Sequence, residues 1–400
     1  MQSEKKICGF SKNIFYLGLL SFFTDISSEM IYPLLPVFLT SVLKAPLSFV
    51  GLVEGMAEST ASILKLVFGW ISDRLNKRKA FVSIGYTISS VIRPTVALAI
   101  YPWHVLFVRF ADRVGKGMRT APRDALIADT CKVNGKGKAF GFHRAMDHAG
   151  AIVGSVIAFI LLRYLTKDYR LIFALSFIPA LIAIFIVLFL VKEKKSETVC
   201  IKEPVKLSLK FFDKNFKAFL FIVSIFTLGN SSDAFLILRA KDLGVSIAML
   251  PILWILLHAV KSVSSIPAGA LSDKIGRKKI IISGWVIYFL VYLGFAFAKT
   301  ALQIWFLFAI YGFFFGLTES AEKAFVADLV KAEIRGSAYG IYNFAIGVSA
   351  LPASVIMGLL WQKLGVITAF SFGAILALIS AFLLIVFVKD ESIQKQNVTG

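Results

Sequence analysis

An apolar segment of the chain ends in Gly69-Trp-Ile-Ser-Asp73-Arg74-Leu-Asn76-Lys77-Arg78-Lys79, and a second ends in Gly269-Ala-Leu-Ser-Asp273-Lys274-Ile-Gly276-Arg277-Lys278-Lys279. The two stretches lie half a chain length apart in a protein of 400 residues. A charged sequence that recurs at this distance indicates an internal duplication. In an apolar chain, such charges are expected at a membrane surface, inside a helix bundle or in an aqueous cavity.

The composition is that of a membrane protein. Hydrophobic residues make up 58% of the chain and charged residues 17%, and the mean hydropathy is +0.78. A soluble domain carries about 25% charged residues. A membrane-spanning helix needs about 20 apolar residues, so the chain has room for about twelve. The predicted spans are 13–40, 48–70, 80–100, 103–127, 139–163, 170–191, 216–238, 247–271, 280–298, 301–326, 337–361 and 366–388.

The net charge of +20 indicates membrane topology rather than nucleic-acid binding. Most Lys and Arg residues fall in the loops and tails that share one side of the membrane when the amino terminus is cytoplasmic, as the positive-inside rule requires. We therefore predict a multi-pass protein of the cytoplasmic (inner) membrane with both termini in the cytoplasm. The expected partners are the lipid bilayer, a small-molecule or ion substrate and protons, with no nucleic acid.

The repeat extends beyond the charged loops. Three further pairs of segments correspond at offsets of 199 to 204 residues: one lies within predicted helices one and seven, one ends helices four and ten, and one opens helices five and eleven. They are Ser27-Ser28-Glu29 with Ser231-Ser232-Asp233, Ala125 to Asp129 with Ala324 to Asp328, and Ala139-Phe-Gly141 with Ala338-Tyr-Gly340. We therefore predict two six-helix bundles, 1–191 and 216–400, joined by a cytoplasmic linker, 192–215. An even number of helices in each half makes them parallel repeats.

The repeated loop has the pattern Gly-x-x-x-Asp-(Arg/Lys)-x-Gly-x-(Arg/Lys)-(Arg/Lys), with Asn76 in place of the second glycine in the first copy. This pattern resembles the signature of the major facilitator superfamily. A segment from Asp112 to Leu126 is similar to a bacterial subgroup that includes nickel-resistance and multidrug-type exporters. The resemblance implies an all-α membrane protein of twelve transmembrane helices in two pseudo-symmetric bundles, with helices one, four, seven and ten around a cavity. It also implies a cytoplasmic gating motif formed by Gly69, Asp73, Arg74, Arg78, Gly269, Asp273, Lys274 and Arg277.

Two roles are open for the repeated loops. Asp73 and Asp273 end helices two and eight, where each carboxylate can pair with a base or with the amino terminus of a neighbouring helix. Such a pair would act as a latch on the cytoplasmic side. Alternatively, the basic residues of the loops only anchor the topology, and we expect both roles to operate.

Charged side chains within the predicted spans are candidates for the substrate and coupling cavity, because each needs a partner or water. Asp25 and Glu29 lie four residues apart and share a helix face. In helix four, Lys116, Arg119 and Arg123 follow Asp112 on one face. This basic face either neutralises the two acids of helix one or binds an anionic substrate.

Helices two and five add titratable groups. Glu54 is expected near the surface and solvated, and Glu58 deeper, where with Asp25 it is a candidate proton carrier. His143 and Asp147 lie one helical turn apart, a spacing that suits a metal such as nickel, zinc or iron. The same pair suits a proton relay or a structural hydrogen-bond network, and the three interpretations stay open.

The carboxy-terminal half is poorer in charge. Its candidate cavity residues are Asn230, Asp233, Glu319, Glu322 and Asn343. Glu322 aligns with Arg123 of the first half, so opposite charges occupy equivalent positions and suggest a gate.

The sequence predicts a secondary active transporter that works by alternating access as a monomer. We find no ATP-binding motif, cofactor motif or catalytic constellation, which argues against an enzyme. The favoured function is a proton-coupled antiporter for efflux of a metal cation or a small toxic compound. The alternative is a carrier of an organic anion or metal chelate, and the remote alternative is a membrane-embedded enzyme or a non-transporting receptor.

Overall fold

The structure is a computed structural model that describes residues 6–7, 10–75, 77–130, 136–193, 212–330 and 334–389. The described residues are almost entirely helical. The α-helices are α1 (Lys12–Glu29), α2 (Leu35–Val37), α3 (Leu47–Leu75), α4 (Arg78–Ile92), α5 (Pro102–Thr130), α6 (Lys136–Ile160), α7 (Tyr169–Leu175), α8 (Phe177–Phe185), α9 (Lys214–Gly229), α10 (Ala234–Asp242), α11 (Leu250–Ile275), α12 (Arg277–Phe297), α13 (Ala301–Asp328), α14 (Arg335–Leu364) and α15 (Val366–Phe387).

Short irregular helices extend several of these elements. Three are π-helical turns, at Phe38–Val42, Leu161–Leu165 and Ile186–Leu190, and two are 3-10 turns, at Arg93–Leu98 and Ile247–Met249. The amino-terminal strands β1 (Lys6–Ile7) and β2 (Phe10–Ser11) pair antiparallel just before α1.

Among the described residues, ten helices are long and apolar enough to cross a membrane. The other two predicted spans coincide with α1–α2 and with α5, whose charged side chains lower their hydropathy. The predicted all-α membrane fold is confirmed. The spans that look least like membrane helices in sequence are therefore those that carry candidate functional residues.

Two spans are interrupted at equivalent places in the repeat. Helix α1 ends at Glu29, and the chain turns before α2 begins at Leu35. Helix α9 ends at Gly229, and α10 begins at Ala234, directly after Asp233. The prediction of one continuous helix in each of these two spans was wrong. Each break places a carboxylate at a helix end inside the span.

The chain forms two compact units. Unit 1 consists of Met1–Lys44, Thr60–Pro204 and Ile247–Ile252, and unit 2 consists of Ala45–Ser59, Val205–Ser246 and Leu253–Gly400. Most of the predicted linker, at 194–211, lies outside the described residues.

In unit 1, the core lies among α1, α4, α5, α6 and α8. Its buried members include Leu17, Leu20, Val82, Leu126 and Val187. Glycines allow the backbones to approach. A β-carbon added at Gly85 would lie 2.6 Å from the carbonyl oxygen of Gly115, and one at Gly117 would lie 2.6 Å from Leu64. Gly85, Gly115 and Gly117 therefore allow α3, α4 and α5 to pack closely.

In unit 2, aromatic rings fill the core between α9, α12 and α13. Phe226 stacks on Trp285 with ring centroids 4.6 Å apart, and Phe314 packs edge-on against Tyr288. The first part of α3 belongs to this unit because it packs on α14. At Gly51 and Gly55 the α14 backbone leaves no room for a side chain.

Equivalent hydrogen bonds join the first and last spans of the two sets of helices. Asn13, in the first turn of α1, donates to the Lys192 carbonyl at 3.1 Å and accepts from the Lys192 backbone N–H at 2.9 Å. Asn215, in the first turn of α9, makes the same pair of bonds with Lys389 at 3.2 and 2.9 Å. The first and last spans of each repeat are joined in the same way.

Candidate functional site

Unit 1 brings the acid of α1 together with charged groups of α5 and α6. Asp25 lies within electrostatic range of Asp147, Glu29, Arg119 and Lys116. Glu29 lies one turn further along α1, where the Ser28 hydroxyl donates to its carboxylate at 3.5 Å. Arg119 and Lys116 of the basic face of α5 thus lie within electrostatic range of an acid of α1, and both interpretations of this face stay predictions.

A second carboxylate in this cluster is held by several partners. Asp147 Oδ1 lies 3.4 Å from His143 Nδ1, and Asp147 Oδ2 lies 3.9 Å from Arg144 Nη1. The Ser21 hydroxyl of α1 also bonds Asp147. His143 is only 3% exposed, and its Nε2 has no hydrogen-bond partner among the described residues.

Two arginines of α5 contact one tyrosine of α4. The guanidinium of Arg119 lies 4.3 Å from the ring centroid of Tyr86. Arg123 bonds Asp124 at 2.8 and 3.0 Å and donates to the Tyr86 hydroxyl at 3.4 Å. Arg119 is buried, and its Nη1 has no hydrogen-bond partner among the described residues. Tyr86 therefore positions the two guanidinium groups.

The acid of the α5 face, Asp112, pairs with a base outside α5. Asp112 does not join the acids of α1: its carboxylate accepts bonds from Arg93 Nη2 at 2.9 Å and Nε at 3.2 Å. Arg113 lies 4.0 Å away, and Arg93 also donates to the Thr24 carbonyl at 3.1 Å. All of these charged groups are buried. Asp112 and Arg93 therefore form a structural ion pair that joins α1, α5 and the end of the α4 span.

Unit 2 places Asp233 beside a cluster of tyrosines. The Tyr311 hydroxyl of α13 donates to Asp233 Oδ1 at 2.7 Å. Tyr288 and Tyr292 of α12 stack with centroids 4.0 Å apart, and the Tyr288 hydroxyl donates to the Gly229 carbonyl at 3.0 Å. The three rings are fully buried. Tyr311 thus holds the carboxylate at the break between α9 and α10.

A paired lysine lies near this acid. Lys261 of α11 lies within electrostatic range of Asp233, and its Nζ is 2.9 Å from Glu319 Oε2. The same ammonium lies 4.6 Å from the ring centroid of Phe315. Lys323 contacts the other oxygen of Glu319 at 3.2 Å. Glu319 therefore binds two lysines, one of them directed towards Asp233.

The other predicted residues of unit 2 are held in place by neighbouring polar groups. Glu322 accepts bonds from Trp285 Nε1 at 3.0 Å and from the Tyr342 hydroxyl at 2.7 Å. Asn343 donates to the Tyr339 carbonyl at 2.8 Å. Asn230 lies at the break after α9, where its backbone N–H closes the helix on Phe226.

The exposures of the two α3 acids are the reverse of those expected. Glu54 is 1% exposed, whereas Glu58 is exposed. Helical spacing shows that the two share a face, but it does not show that the outer part of α3 packs on α14. Both acids lie within electrostatic range of Asp233, in the same unit.

The repeated loops make equivalent contacts in the two units. The carbonyls of Gly69 and Gly269 accept from Ser72 at 3.0 Å and Ser272 at 2.7 Å. Arg74 lies over the Trp70 ring, and Lys274 is exposed. Arg78 and Arg277 bond the last turns of α5 and α13. The side chains of Asp73 and Asp273 lie outside the described part, so the latch stays a prediction.

A metal site at His143 and Asp147 would need at least one further ligand. Among the described residues, no group of three or more His, Cys, Asp or Glu side chains is placed to hold a metal ion. His143 and Asp147 instead share their surroundings with Arg123 and Arg144, whose positive charges oppose a cation. The proton relay and the structural hydrogen-bond network both stay predictions for this pair.

Sequence reasoning missed Arg93 and the tyrosines. Arg93 was detectable as the one base inside the apolar segment 80–100. Tyr86 and Trp285 occupy equivalent positions in the repeat, and each bonds the charged residue of the fourth span, Arg123 or Glu322. Extending the repeat alignment to α4 and α12 would have identified both. Tyr288, Tyr292 and Tyr311 give no signal in sequence that separates them from packing aromatics.

Comparison with known proteins identifies the family. Residues 17–260 and 218–400 match the family model of the Major Facilitator Superfamily. The chain belongs to this superfamily. It is 40% identical over 381 residues, 94% of each chain, to an uncharacterized MFS-type transporter of Methanocaldococcus jannaschii. It is 23% identical to the multidrug resistance protein MdtH of Salmonella arizonae, over 80% of this chain and 78% of that protein.

Solved structures agree with the fold. A mutant of the nucleoside transporter NupG superposes with a TM-score of 0.82 at 15% identity, covering 94% of this chain and 100% of that one. As a member of the Major Facilitator Superfamily, a family of secondary transporters, the protein is a multi-pass membrane transporter and not an enzyme.

Proposed function

We propose that the protein exports small toxic organic compounds from the cytoplasm in exchange for protons, with both termini on the cytoplasmic side of the inner membrane and one chain as the working transporter. The observation that supports it is the group of Asp25, Asp147 and His143 in unit 1, in which His143 is buried and the two acids are partly buried. The name of the multidrug relative MdtH supports the substrate class.

Proton coupling is supported by two carboxylates, those of Asp25 and Asp147, that lie within electrostatic range of each other. Asp25 and Asp147 repel when both are charged, and a shared proton relieves that repulsion. His143 contacts Asp147 and gives the proton a second acceptor. The nearby cations Arg119 and Arg123 stabilise the charged state that remains when the proton leaves. The group therefore holds a proton in one state and releases it in another.

The experiment is gradient-driven transport in liposomes that contain only this protein. A panel of fluorescent organic cations, anions and neutral compounds is offered outside while the lumen is held acidic. We expect transporter molecules whose cytoplasmic side faces outward to concentrate at least one compound in the lumen. An ionophore that collapses the pH gradient should abolish this uptake. Uptake that ignores the ionophore, or no concentrative uptake of any compound, would contradict the proposal.

A second candidate function, export of organic anions, is favoured by one observation. The Arg119 guanidinium is buried beside Lys116 and Arg123, with Nη1 lacking a hydrogen-bond partner among the described residues. Such a guanidinium can receive a carboxylate or phosphate oxygen. If anionic dyes are concentrated and Arg119→Gln removes that activity selectively, the substrate is an anion. If only cations are concentrated, this candidate is excluded.

A further inference from the structure

Unit 2 contains an internal cation in surroundings that resemble a cation-binding site. The Lys261 ammonium is 2.9 Å from Glu319 Oε2 and 4.6 Å from the ring centroid of Phe315, and it lies within electrostatic range of Asp233. Carboxylates and an aromatic face are the groups that recognise organic ammonium ions in proteins. The Lys261 side chain is 25% exposed, so the position is accessible from outside the core.

Polar groups beside Asp233 are available to contact a ligand. Tyr311 engages Oδ1 of the carboxylate. Two neighbouring hydroxyls, those of Ser231 and Tyr292, are buried and have no hydrogen-bond partner among the described residues. Tyr292 is fully buried and lies within electrostatic range of Asp233. A buried hydroxyl without a partner carries a desolvation cost, which a bound ligand or water would relieve.

The surrounding charge is favourable for a cation. Glu54 and Glu58 of α3 add to the negative potential at Asp233, and Lys261 opposes it. Asp25 of unit 1 likewise lies near acids, Asp147 and Glu29, and near bases, Arg119 and Lys116. What distinguishes the surroundings of Asp233 is that the opposing charge is a lysine on a flexible side chain, whose departure leaves a negative potential that attracts a cation.

We propose that unit 2 binds an organic monocation at Asp233, Glu319 and Phe315, and that the ligand takes the place of the Lys261 ammonium. Lys261 occupies the site when no ligand is bound and swings away towards its exposed side when the ligand enters. The number of positive charges beside Glu319 is the same before and after, so neither state leaves the carboxylate unpaired. The ring face of Phe315 favours binding of an organic cation over binding of a small hydrated ion.

This inference rests on the proposed export function for its biological meaning, but binding is measured without any gradient. Purified wild-type protein in lipid nanodiscs is titrated with tetraphenylphosphonium at one pH, and tetraphenylborate serves as the anion of the same shape. We expect saturable binding of the cation and none of the anion at this site. No binding of tetraphenylphosphonium to the wild-type protein would overturn the proposal.

Variants separate a binding site from structural damage by the sign of their effects. Asp233→Asn and Glu319→Gln should each weaken binding about tenfold, and Phe315→Leu by a smaller factor. Lys261→Gln should strengthen binding, because it removes the competing ammonium; general damage to the fold cannot produce that result. Asp242→Asn, at the exposed end of α10, and Lys363→Gln, in the exposed last turn of α14, are the charge-matched controls.

The outcomes distinguish the two proposals. Weaker binding by Lys261→Gln, or unchanged binding by Asp233→Asn, would overturn the cation site while leaving proton-driven transport untested by that result. Binding with the expected signs, together with no gradient-driven transport in liposomes, would leave the site standing and remove the export function.

Discussion

Arg78 and Arg277 make the same hydrogen bond in the two units. Nη1 of Arg78 donates to the carbonyl of Ala125 at 3.2 Å, and Nη1 of Arg277 donates to the carbonyl of Ala324 at 2.7 Å. Arg277 also pairs with Asp328 Oδ2 at 2.7 Å. The basic residues of the repeated loops thus close the ends of α5 and α13, in addition to any role in topology.

Replacing Arg277 should loosen the end of α13. Arg277→Gln removes a charge-assisted bond to the helix end, and such bonds contribute about 1.5–3 kcal/mol. We expect a lower thermal unfolding midpoint in detergent and slower substrate flux. Lys279→Gln removes an exposed charge two residues away and should change neither. Equal behaviour of the two variants would show that Arg277 serves topology alone.

The latch predicted from sequence can be tested at Asp73. Asp73→Asn should preserve expression but slow transport and shift the protein towards the inward-open state, because a neutral side chain holds the cytoplasmic end of the bundle less firmly. Labelling of single cysteines on the cytoplasmic side would report the shift. Unchanged flux together with unchanged labelling would count against a latch.

Close contact between α4 and α5 should make Gly85 intolerant of a side chain. A β-carbon there would lie 2.6 Å from the Gly115 carbonyl oxygen, whereas one at Gly141 would meet nothing within 4 Å. Gly85→Ala is expected to lower the free energy of unfolding by about 1–3 kcal/mol, the usual cost of overpacking. Gly141→Ala is the matched control and should be neutral or slightly stabilising. Thermal unfolding of the two variants side by side decides the point.

Substitutions of Arg93 and Asp112, which form a buried ion pair, should have strongly non-additive effects on the free energy of unfolding. Arg93→Leu leaves the Asp112 carboxylate without its principal partner and should cost about 3–5 kcal/mol of stability. The double variant Arg93→Leu, Asp112→Leu should recover much of that loss, because no uncompensated charge remains. Additive losses in the double variant would mean that the two residues contribute independently.

The sequence alone was enough to predict the fold and the positions of the charged spans along the chain. The recurrence of Asp73 and Asp273 in matching loops and the apolar periodicity define the repeat and the helices. The breaks after Glu29 and Gly229 were not predictable in the same way, because a short turn inside a span leaves the apolar pattern unchanged.

Partners of the charged residues were harder to predict than their positions. Helical spacing placed Asp112 with Arg119 and Arg123 on one face, but Asp112 pairs with Arg93, which comes from a different helix. Glu54 and Glu58 were assigned the wrong exposures for the same reason. A single sequence carries little information about which helix packs against a given face.

If Asp25 couples substrate movement to protons, neutralising its carboxylate should separate substrate exchange from gradient-driven accumulation. Asp25→Asn is reconstituted in liposomes beside wild type and the control Asp242→Asn. Exchange of labelled substrate at equal pH and accumulation driven by a pH gradient are then measured on the same preparation. We predict that Asp25→Asn retains exchange and loses gradient-driven accumulation, while the control retains both. Accumulation by Asp25→Asn in response to the gradient would contradict the account and place the coupling proton on another residue.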